Sequence, residues 1–288
     1  DYDCDGVCAT AIVSRTLKAL GGDVTEFIPD RLTEGYGMSE ASIARMLRNN
    51  PGVGLVVTVD NGINSVEQVT DLKRKWCSVV VTDHHLPGDS LPDANAIVDP
   101  KVSAPPHLEN LCGAGVAFLL ANRVVSEAKR RGIYKGGSVG GPLLVLAGLA
   151  TVTDIMPLRG QNRILVAEAI RRFETGAPVG LRELHARAAR SGRNEISVRD
   201  FSFMLGPRIN AAGRVETPMQ ALELLTTDDR EIVRELARMI DGYNLQRKAI
   251  EQAMLDEAML QVVPDAPAQV IDLPNGHPGV AGIVAARV

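Results

Sequence analysis

Side chains that can bind metal ions or transfer protons follow a predicted strand near residue 83. The run Cys77–Thr82 is short, rich in β-branched residues and unbroken, which predicts a buried strand of a parallel sheet. Asp83, His84 and His85 come directly after it, at the edge beyond the strand ends where open α/β sheets bind ligands. A polar turn with a capping Asp would use the same residue types, so the tripeptide alone allows both interpretations.

Two further predicted strands end in carboxylates. Leu55–Val59 predicts a strand that ends at Asp60, although the Asn-Gly that follows is also typical of a turn. Ala96–Val98 predicts another, and we interpret Asp99 after it as part of a plain turn because a proline follows. Since Asp60 and Asp83 both follow buried strands, we expect them to share one edge of one sheet.

Three aspartates alternate at the start of the chain. Asp1, Asp3 and Asp5 precede a predicted helix over Val7–Leu20, and one of them would serve as an N-cap that contributes about 1 kcal/mol. Three exceed that need, because like charges this close repel unless a cation lies between them. Hard divalent cations take carboxylate oxygens, so the pattern predicts a metal site. We also expect the chain to begin just after a first strand that it lacks.

Two predicted helices carry further candidates. Leu143–Val152 predicts an apolar helix closed by Asp154. A carboxylate at a helix C-terminus opposes the helix dipole, so Asp154 needs a positive partner, and a metal ion would supply one. Gly113–Phe118 opens another helix, where the glycines suit phosphate binding and close helix packing equally.

Two polar stretches are suited to phosphate groups. The first is the loop Pro29–Gly37, and the second is Gly206–Arg214, where small residues bracket two arginines and an asparagine. Guanidinium groups bind phosphate through two parallel hydrogen bonds. The candidates are Arg31 and Tyr36 in the first stretch and Arg208, Asn210 and Arg214 in the second. A solvated loop and an exposed Arg-rich loop are the alternatives.

Composition bounds the class of protein. The 288 residues are 45% hydrophobic and 23% charged, which is typical of a globular protein. No apolar run approaches the roughly 20 residues of a membrane span, no leader precedes the first residue, and the four cysteines have no zinc-site spacing. We therefore expect a cytoplasmic protein with reduced thiols. A net charge of −4 and only 3% aromatic residues argue against a large nucleic-acid surface or stacking platform.

The remaining pattern predicts two unequal lobes. Residues 162–225 are predicted to be mainly helical, with interruptions at Gly176, Gly180 and Gly192. Thr226–Val263 predicts a long connecting helix, which Gly242 could split or bend. Short strands are predicted at Val24–Ile28 and Gln269–Leu273. We expect a catalytic domain at 1–225, a connecting helix at 226–263 and the truncated start of a second α/β domain at 264–288.

With these motifs in hand, the sequence resembles the DHH phosphoesterase superfamily. The motifs are Asp1-Tyr2-Asp3-Cys4-Asp5-Gly6, Asp60-Asn61-Gly62, Asp83-His84-His85 and Thr153-Asp154. The stretches Pro29–Gly37, Gly206–Arg214 and Gly276–Ala285 are similar to those of its bacterial exonucleases that act on single-stranded DNA. The resemblance covers essentially the whole chain and implies a Rossmann-like α/β domain with a parallel sheet, followed by helices and a DHH-associated domain.

The resemblance also implies a ligand set and residue roles. Two ions, Mn²⁺ or Mg²⁺, would lie at the sheet edge, the first held by Asp1, Asp3 and Asp60 and the second by Asp5, Asp60, His84 and Asp154. His85 would face the scissile phosphate. Arg31 and Tyr36 would engage the 5′ end of the substrate, and Arg208, Asn210 and Arg214 its backbone phosphates. A ligand set of mixed oxygens and nitrogen agrees with Mn²⁺.

The activity that the resemblance implies is 5′→3′ hydrolysis of single-stranded DNA to 5′ mononucleotides, in DNA repair and recombination. Its partners would be single-stranded DNA and, in addition, a single-strand-binding protein and a helicase, with no membrane and a monomeric chain. One alternative is a phosphodiesterase for short oligonucleotides or cyclic dinucleotides, against which Gly206–Arg214 argues. The other is a non-enzymatic repair scaffold, against which the intact Asp3, Asp5, Asp60 and His84 argue.

Overall fold

A three-stranded parallel sheet lies beside the metal-competent residues. The computed structural model describes residues 1–31, 33–137, 140–189 and 195–288. Its strands, in the order β1-β2-β3, are β1 (Leu55–Val59), β2 (Ser78–Thr82) and β3 (Ala96–Val98). Val59 pairs with Thr82, and Thr82 with Val98, so the next residue of each strand lies at the same edge. The predicted parallel α/β sheet and the shared edge of Asp60 and Asp83 are confirmed.

Helices make up most of the rest of the described chain. They are α1 (Cys4–Ala19), α2 (Glu40–Asn49), α3 (Val66–Arg74), α4 (Gly113–Arg130), α5 (Gly140–Thr153), α6 (Gly160–Arg171), α7 (Phe173–Gly176), α8 (Val179–Ala188), α9 (Val198–Asp200), α10 (Gly206–Val215), α11 (Pro218–Thr226), α12 (Arg230–Met259) and α13 (Pro278–Ala285). A 3₁₀ turn spans Pro106–Leu108, and a π-helical turn spans Phe201–Leu205.

The two faces of the sheet pack against different helices. On one face, Val79 and Val81 of β2 pack with Ile43 of α2 and with Leu72 of α3. On the other, Val59 belongs to the main core with α1, α4 and α5. Helix α5 is apolar on all sides and buried from residue 143 to residue 152, as expected for a helix inside the core. Asp154 therefore comes just beyond the end of a helix that is buried in the main core.

Two predicted strands do not form. Val24–Ile28 is neither helix nor strand and takes part in no ladder with the described strands. The carbonyl of Ile28 instead accepts from the Arg45 guanidinium at 3.1 Å. Gln269–Leu273 is likewise not a strand. There, Gln261 donates to the carbonyl of Asp272 at 2.8 Å and accepts from its amide at 3.2 Å. Side chains therefore satisfy backbone groups that a neighbouring strand would otherwise bind.

The long connecting helix is shorter than predicted and unbroken. Thr226 ends α11 rather than opening the next helix. Asp229 caps α12 by accepting from the amides of Glu231 and Ile232 at 2.8 and 3.3 Å. Gly242 does not split the helix, because α12 runs through that residue.

The glycine interruptions predicted between residues 162 and 225 have different outcomes. Gly176 ends α7 as predicted. Gly180 lies inside α8, and a Cβ there would meet the Leu224 carbonyl oxygen at 1.9 Å, so it serves close packing and is not an interruption. Gly192 falls outside the described residues.

Two expectations from composition can be compared with the structure. The four cysteines are free and buried, which confirms the prediction of core thiols. Among the helices of the described residues, none has the length and hydropathy to cross a bilayer.

Candidate metal centre

The six predicted metal ligands converge from four parts of the chain. Asp1, Asp3 and Asp5 lie at the start of α1, and the other three follow β1, β2 and α5. Among the described residues, three groups have ligand atoms within 4.8 Å of one another: Asp1 with Asp3 and Asp60, Asp5 with His84 and Asp154, and Asp60 with His84 and His85. The first group has the residues inferred for one ion, and the second has those inferred for the other ion except Asp60. Asp60 Oδ1, 3.0 Å from His84 Nε2, links them.

His84 lies at the centre of the second group. Its Nε2 is 3.6 Å from Asp5 Oδ2 and 3.8 Å from Asp154 Oδ2. Asp60 Oδ1 and Asp154 Oδ2 are buried and accept no hydrogen bond from the described residues. Burying a carboxylate oxygen without a partner is unfavourable. The donor set of carboxylates and one imidazole, with two unpartnered oxygens that both lie within 4 Å of the imidazole nitrogen, fits a divalent cation.

Burial makes the carboxylates of this site hard to ionise. It raises the pKa of Asp60 from 3.8 to about 8; the N-terminal ammonium opposes the shift and the charge of Asp3 adds to it. Burial also raises the pKa of Asp5 and of Asp154, followed in size by the charge of Asp60 on Asp5 and of Asp5 on Asp154. A cation between them would offset both effects.

Asp60 adopts a backbone conformation that is rare for its residue type. Its φ is +57°, in the left-handed region, which Asp tolerates better than most residues but at a cost. The side chain of Asn61 donates to the carbonyl of Val59 at 2.9 Å, and Thr58 Oγ1 donates to the carbonyl of Asn61 at 2.8 Å. These bonds hold the turn that aims the Asp60 carboxylate at the site. Strain of this kind is concentrated at functional sites.

Asp83 holds His85 beside the metal ligands. His85 Nδ1 is 2.7 Å from Asp83 Oδ1, and Asp83 also accepts from the amides of Ile63 and His84 at 3.0 and 2.8 Å. Burial opposes ionisation of Asp83, but the bond to His85 and these amides lower its pKa. The same bond raises the pKa of His85 to about 9. Sequence reasoning placed Asp83 in the motif but missed this positioning role, for which its spacing two residues before His85 was the available signal.

Aromatic rings connect the loop candidates to the site. The ring of Tyr36 meets that of His85 edge to face at 6.5 Å and that of Tyr2 at 6.1 Å between centroids. The guanidinium of Arg31 lies 5.0 Å from the Tyr2 ring, a distance typical of a cation–π contact. Arg31 and Tyr36 therefore lie on one wall of the site. Tyr2, between two predicted ligands in the sequence, is a member of this wall that sequence reasoning missed.

The second stretch predicted to bind phosphate, Gly206–Arg214, is a packed helix, so the alternative of an exposed loop is wrong. In α10, Arg208 pairs with Asp241 at 2.8 Å, and Asn210 Oδ1 accepts from the amide of Cys4 at 2.7 Å. Arg214 donates to the carbonyl of Gly279 at 2.9 Å. Burial lowers the pKa of Arg214, and the charge of Arg31 lowers it further. Arg214 therefore lies close enough to Arg31 for the two charges to repel.

Residue Asp99, interpreted from the sequence as a turn residue, lies at the same sheet edge. Its Oδ1 accepts from the amide of Lys101 at 2.7 Å, which agrees with a turn. Its Oδ2 is buried with no hydrogen-bond partner among the described residues, and burial, then the charge of Asp83, raises its pKa. The turn interpretation therefore explains one of its two oxygens.

Comparison with known proteins identifies the family and agrees with the fold. Residues 1–136 match the model of the DHH family, N-terminal domain. A crystal structure of exonuclease RecJ bound to manganese aligns with a TM-score of 0.86 at 39% identity, over all of this chain and 70% of that one. The chain therefore belongs to the DHH family.

The relatives that match this chain along its whole length are RecJ proteins. The single-stranded-DNA-specific exonuclease RecJ of Thermus thermophilus is 39% identical, and that of Bacillus subtilis is 36% identical. A crystal structure of the Thermus thermophilus RecJ in complex with Mn²⁺ aligns with a TM-score of 0.84 at 37% identity, over all of this chain and 40% of that one. The chain spans 41% and 35% of the length of the Thermus and Bacillus relatives.

Proposed function

We propose that this chain is the metal-dependent nuclease core of an exonuclease that degrades single-stranded DNA from the 5′ end to 5′ mononucleotides. The observation that carries the proposal is the pair of ligand groups that converge at one sheet edge, with Asp60 placed between them. The similarity to single-stranded-DNA-specific exonucleases supports the choice of substrate.

The metal ions proposed are Mn²⁺ or Mg²⁺. RecJ neighbours of this chain are described in complex with each of them. Asp1, Asp3 and Asp60 would hold one ion, and Asp5, Asp60, His84 and Asp154 the other. When bound, two such ions polarise a phosphodiester and lower the pKa of the attacking water.

In this proposal His85 acts on the leaving group. Its pKa of about 9, set by the hydrogen bond to Asp83, keeps the ring protonated at neutral pH. An imidazolium beside the ligands can stabilise the developing negative charge or donate its Nε2 proton to the leaving oxygen. Asp83 keeps the Nδ1 proton engaged, which leaves Nε2 free to face the substrate.

The substrate would be held by Arg31, Tyr36 and the residues of α10. The charge of Arg31, which lies over the Tyr2 ring, lowers the pKa of Arg214, and a phosphate bound by both arginines would offset this effect with charge-assisted hydrogen bonds. Tyr36, about half exposed, offers a ring for the terminal nucleotide. Arg208 and Asn210 already bind Asp241 and Cys4, so only their remaining donors are available for backbone phosphates.

We also propose the division into a catalytic domain at 1–225, a connecting helix at 226–263 and the start of a second domain at 264–288. The start of the second domain has an apolar cluster that is separate from the main core, which supports this division. The cluster contains Met254 and Leu255 of α12 and Val280 and Val284 of α13. A monomer in the cytoplasm, working in DNA repair and recombination with a single-strand-binding protein and a helicase, completes the proposal. The four free thiols support the proposed cytoplasmic location.

The test is digestion of 5′-labelled DNA by the purified protein with Mn²⁺, with Mg²⁺ and with chelator. We expect mononucleotides from a long single strand, slower loss of a blunt duplex, and no product with chelator or with the Asp60→Ala variant. Faster hydrolysis of a dinucleotide or a cyclic dinucleotide than of the long strand would favour the short-substrate alternative. Absence of Mn²⁺ binding in calorimetry would favour a scaffold.

A further inference from the structure

The N-terminus of α4 contacts two of the proposed ligands, which come from distant parts of the chain. The amide of Gly113 donates to Asp5 Oδ2 at 2.7 Å, and the amide of Ala114 donates to Asp5 Oδ1 at 2.8 Å. On the other side, a Cβ added to Gly113 would lie 2.6 Å from the Cβ of Asp60 and 2.7 Å from its Oδ1. One backbone position therefore borders both carboxylates.

We propose that the first turn of α4 forms the outer sphere of the metal centre, with Gly113 as its positioning residue. The inference rests on the metal site of the proposed function and extends it to residues that bind no ion themselves. Groups that orient the direct ligands of a metal in this way contribute substantially to metal affinity in other proteins.

The two hydrogen bonds from backbone amides fix the orientation of the Asp5 carboxylate. Each oxygen accepts one N–H, so the plane of the group cannot rotate, and the remaining acceptor positions face the site, where Asp5 Oδ2 lies 3.6 Å from His84 Nε2. Helix α4 packs against α1 and α5 in the core. It can therefore hold Asp5 at a set distance from the sheet edge.

Gly113 is required for space rather than for backbone conformation. It is not among the described glycines with positive φ, so its dihedral angles are available to any residue. What forbids a side chain is Asp60, whose Cβ, Cγ and Oδ1 would all lie within 2.9 Å of the new atom. A methyl group would push Asp60 away from Asp5 and His84 and so open the second ligand group.

Gly115 provides a matched control in the same helical turn. A Cβ there would meet Leu111 Cδ2 at 3.2 Å, the movable end of a side chain, and no proposed ligand. Its amide donates to Cys112 Sγ at 3.4 Å. The Gly115→Ala change thus replaces the same residue type in the same helical turn and also creates a tight contact, but the nearest atoms to its new methyl group belong to Leu111 and Cys112 and not to a proposed ligand.

The experiment is calorimetric titration of the purified, metal-free protein with Mn²⁺, together with urea unfolding of the same samples. Gly113→Ala should bind Mn²⁺ about 10–100-fold more weakly than wild type, as expected for loss of an orienting group. Gly115→Ala should bind as wild type does. Both should unfold cooperatively without metal, which separates a positioning role from a structural one.

A second variant removes a hydrogen bond without adding an atom. Replacing Ala114 with lactic acid turns its amide into an ester and deletes the N–H that reaches Asp5 Oδ1; replacing Gly115 with glycolic acid is the control. The ester at 114 should weaken Mn²⁺ binding about 10-fold and the ester at 115 should not. This pair decides the matter if Gly113→Ala does not fold.

The outcomes separate the two proposals. If wild type binds no Mn²⁺, the metal site of the proposed function is wrong. If wild type binds Mn²⁺ and the ester at 114 binds it equally well, with Gly113→Ala either binding equally well or unfolded, the positioning role of α4 is wrong and the metal site stands.

Discussion

The metal-free protein should become more stable when Asp60 is changed to Asn. Asp60 is 2% exposed, and its pKa rises from 3.8 to about 8 in the folded state. A carboxyl group with a raised folded pKa stabilises the protein below its unfolded pKa, and that stability is lost as the pH rises through the folded pKa. At pH 7 the loss is about 4 kcal/mol, at 1.36 kcal/mol for each pH unit above the unfolded pKa.

Asn removes the charge and keeps the shape. It also suits the left-handed backbone at this position better than Ala would. A buried amide without a full set of partners costs about 1–3 kcal/mol, so Asp60→Asn should raise the unfolding free energy at pH 7 by about 1–3 kcal/mol. The gain should shrink as the pH falls and change sign between about pH 4.5 and 6, where the loss in the wild type equals the cost of the buried amide.

The assay is urea unfolding with chelator, from pH 4 to pH 8, of wild type, Asp60→Asn and the exposed control Asp89→Asn. Added Mn²⁺ should raise the unfolding free energy of wild type by mass action and leave that of Asp60→Asn unchanged. Wild type should then be the more stable of the two proteins. Parallel stability curves for wild type and Asp60→Asn across this pH range would refute the reasoning, because they would mean that Asp60 is not penalised by burial.

Three further predictions concern activity. Asp60→Ala should abolish turnover even at saturating Mn²⁺, whereas excess Mn²⁺ should partly restore Asp1→Ala, which loses one terminal ligand; equal rescue in a titration of rate against Mn²⁺ would disprove the bridging role. Arg31→Ala should impair cleavage of 5′-phosphorylated strands more than of 5′-hydroxyl strands, and equal impairment would assign Arg31 to general electrostatics. Since the hydrogen bond to Asp83 raises the pKa of His85, kcat should fall as the pH rises through that pKa, and Asp83→Asn should move the fall to lower pH; an unmoved profile would contradict the Asp83–His85 pairing.

The sequence predicts the sheet edge well because its signals are local. An unbroken β-branched run followed by Asp60, or by Asp83 and His84, identifies both the strand and its end. Parallel pairing then brings the strand ends together without further information. Asp154 is similar, since its place at the end of an apolar helix is visible from composition alone.

The two strands that failed to form show what local pattern omits. Val24–Ile28 has strand-like composition, yet a strand exists only where a neighbour offers its backbone groups. The side chain of Arg45 binds the carbonyl of Ile28 instead. Similarly, Gly242 suggests a break in α12, but flanking helical residues carry the helix through it, because one glycine costs only about 1 kcal/mol.

Residues suited to phosphate were predicted from their type, but type does not identify the partner. Asn210 in α10 binds the amide of Cys4, 206 residues away, and so holds the start of α1 where Asp3 and Asp5 lie. The amides of α4 hold Asp5 from the opposite direction, across 108 residues. Neither contact has a signature in the sequence, because an asparagine or a glycine near a helix start is common in any protein. The sequence therefore predicts the candidate ligands, whereas the groups that set their spacing become visible only when the chain is folded.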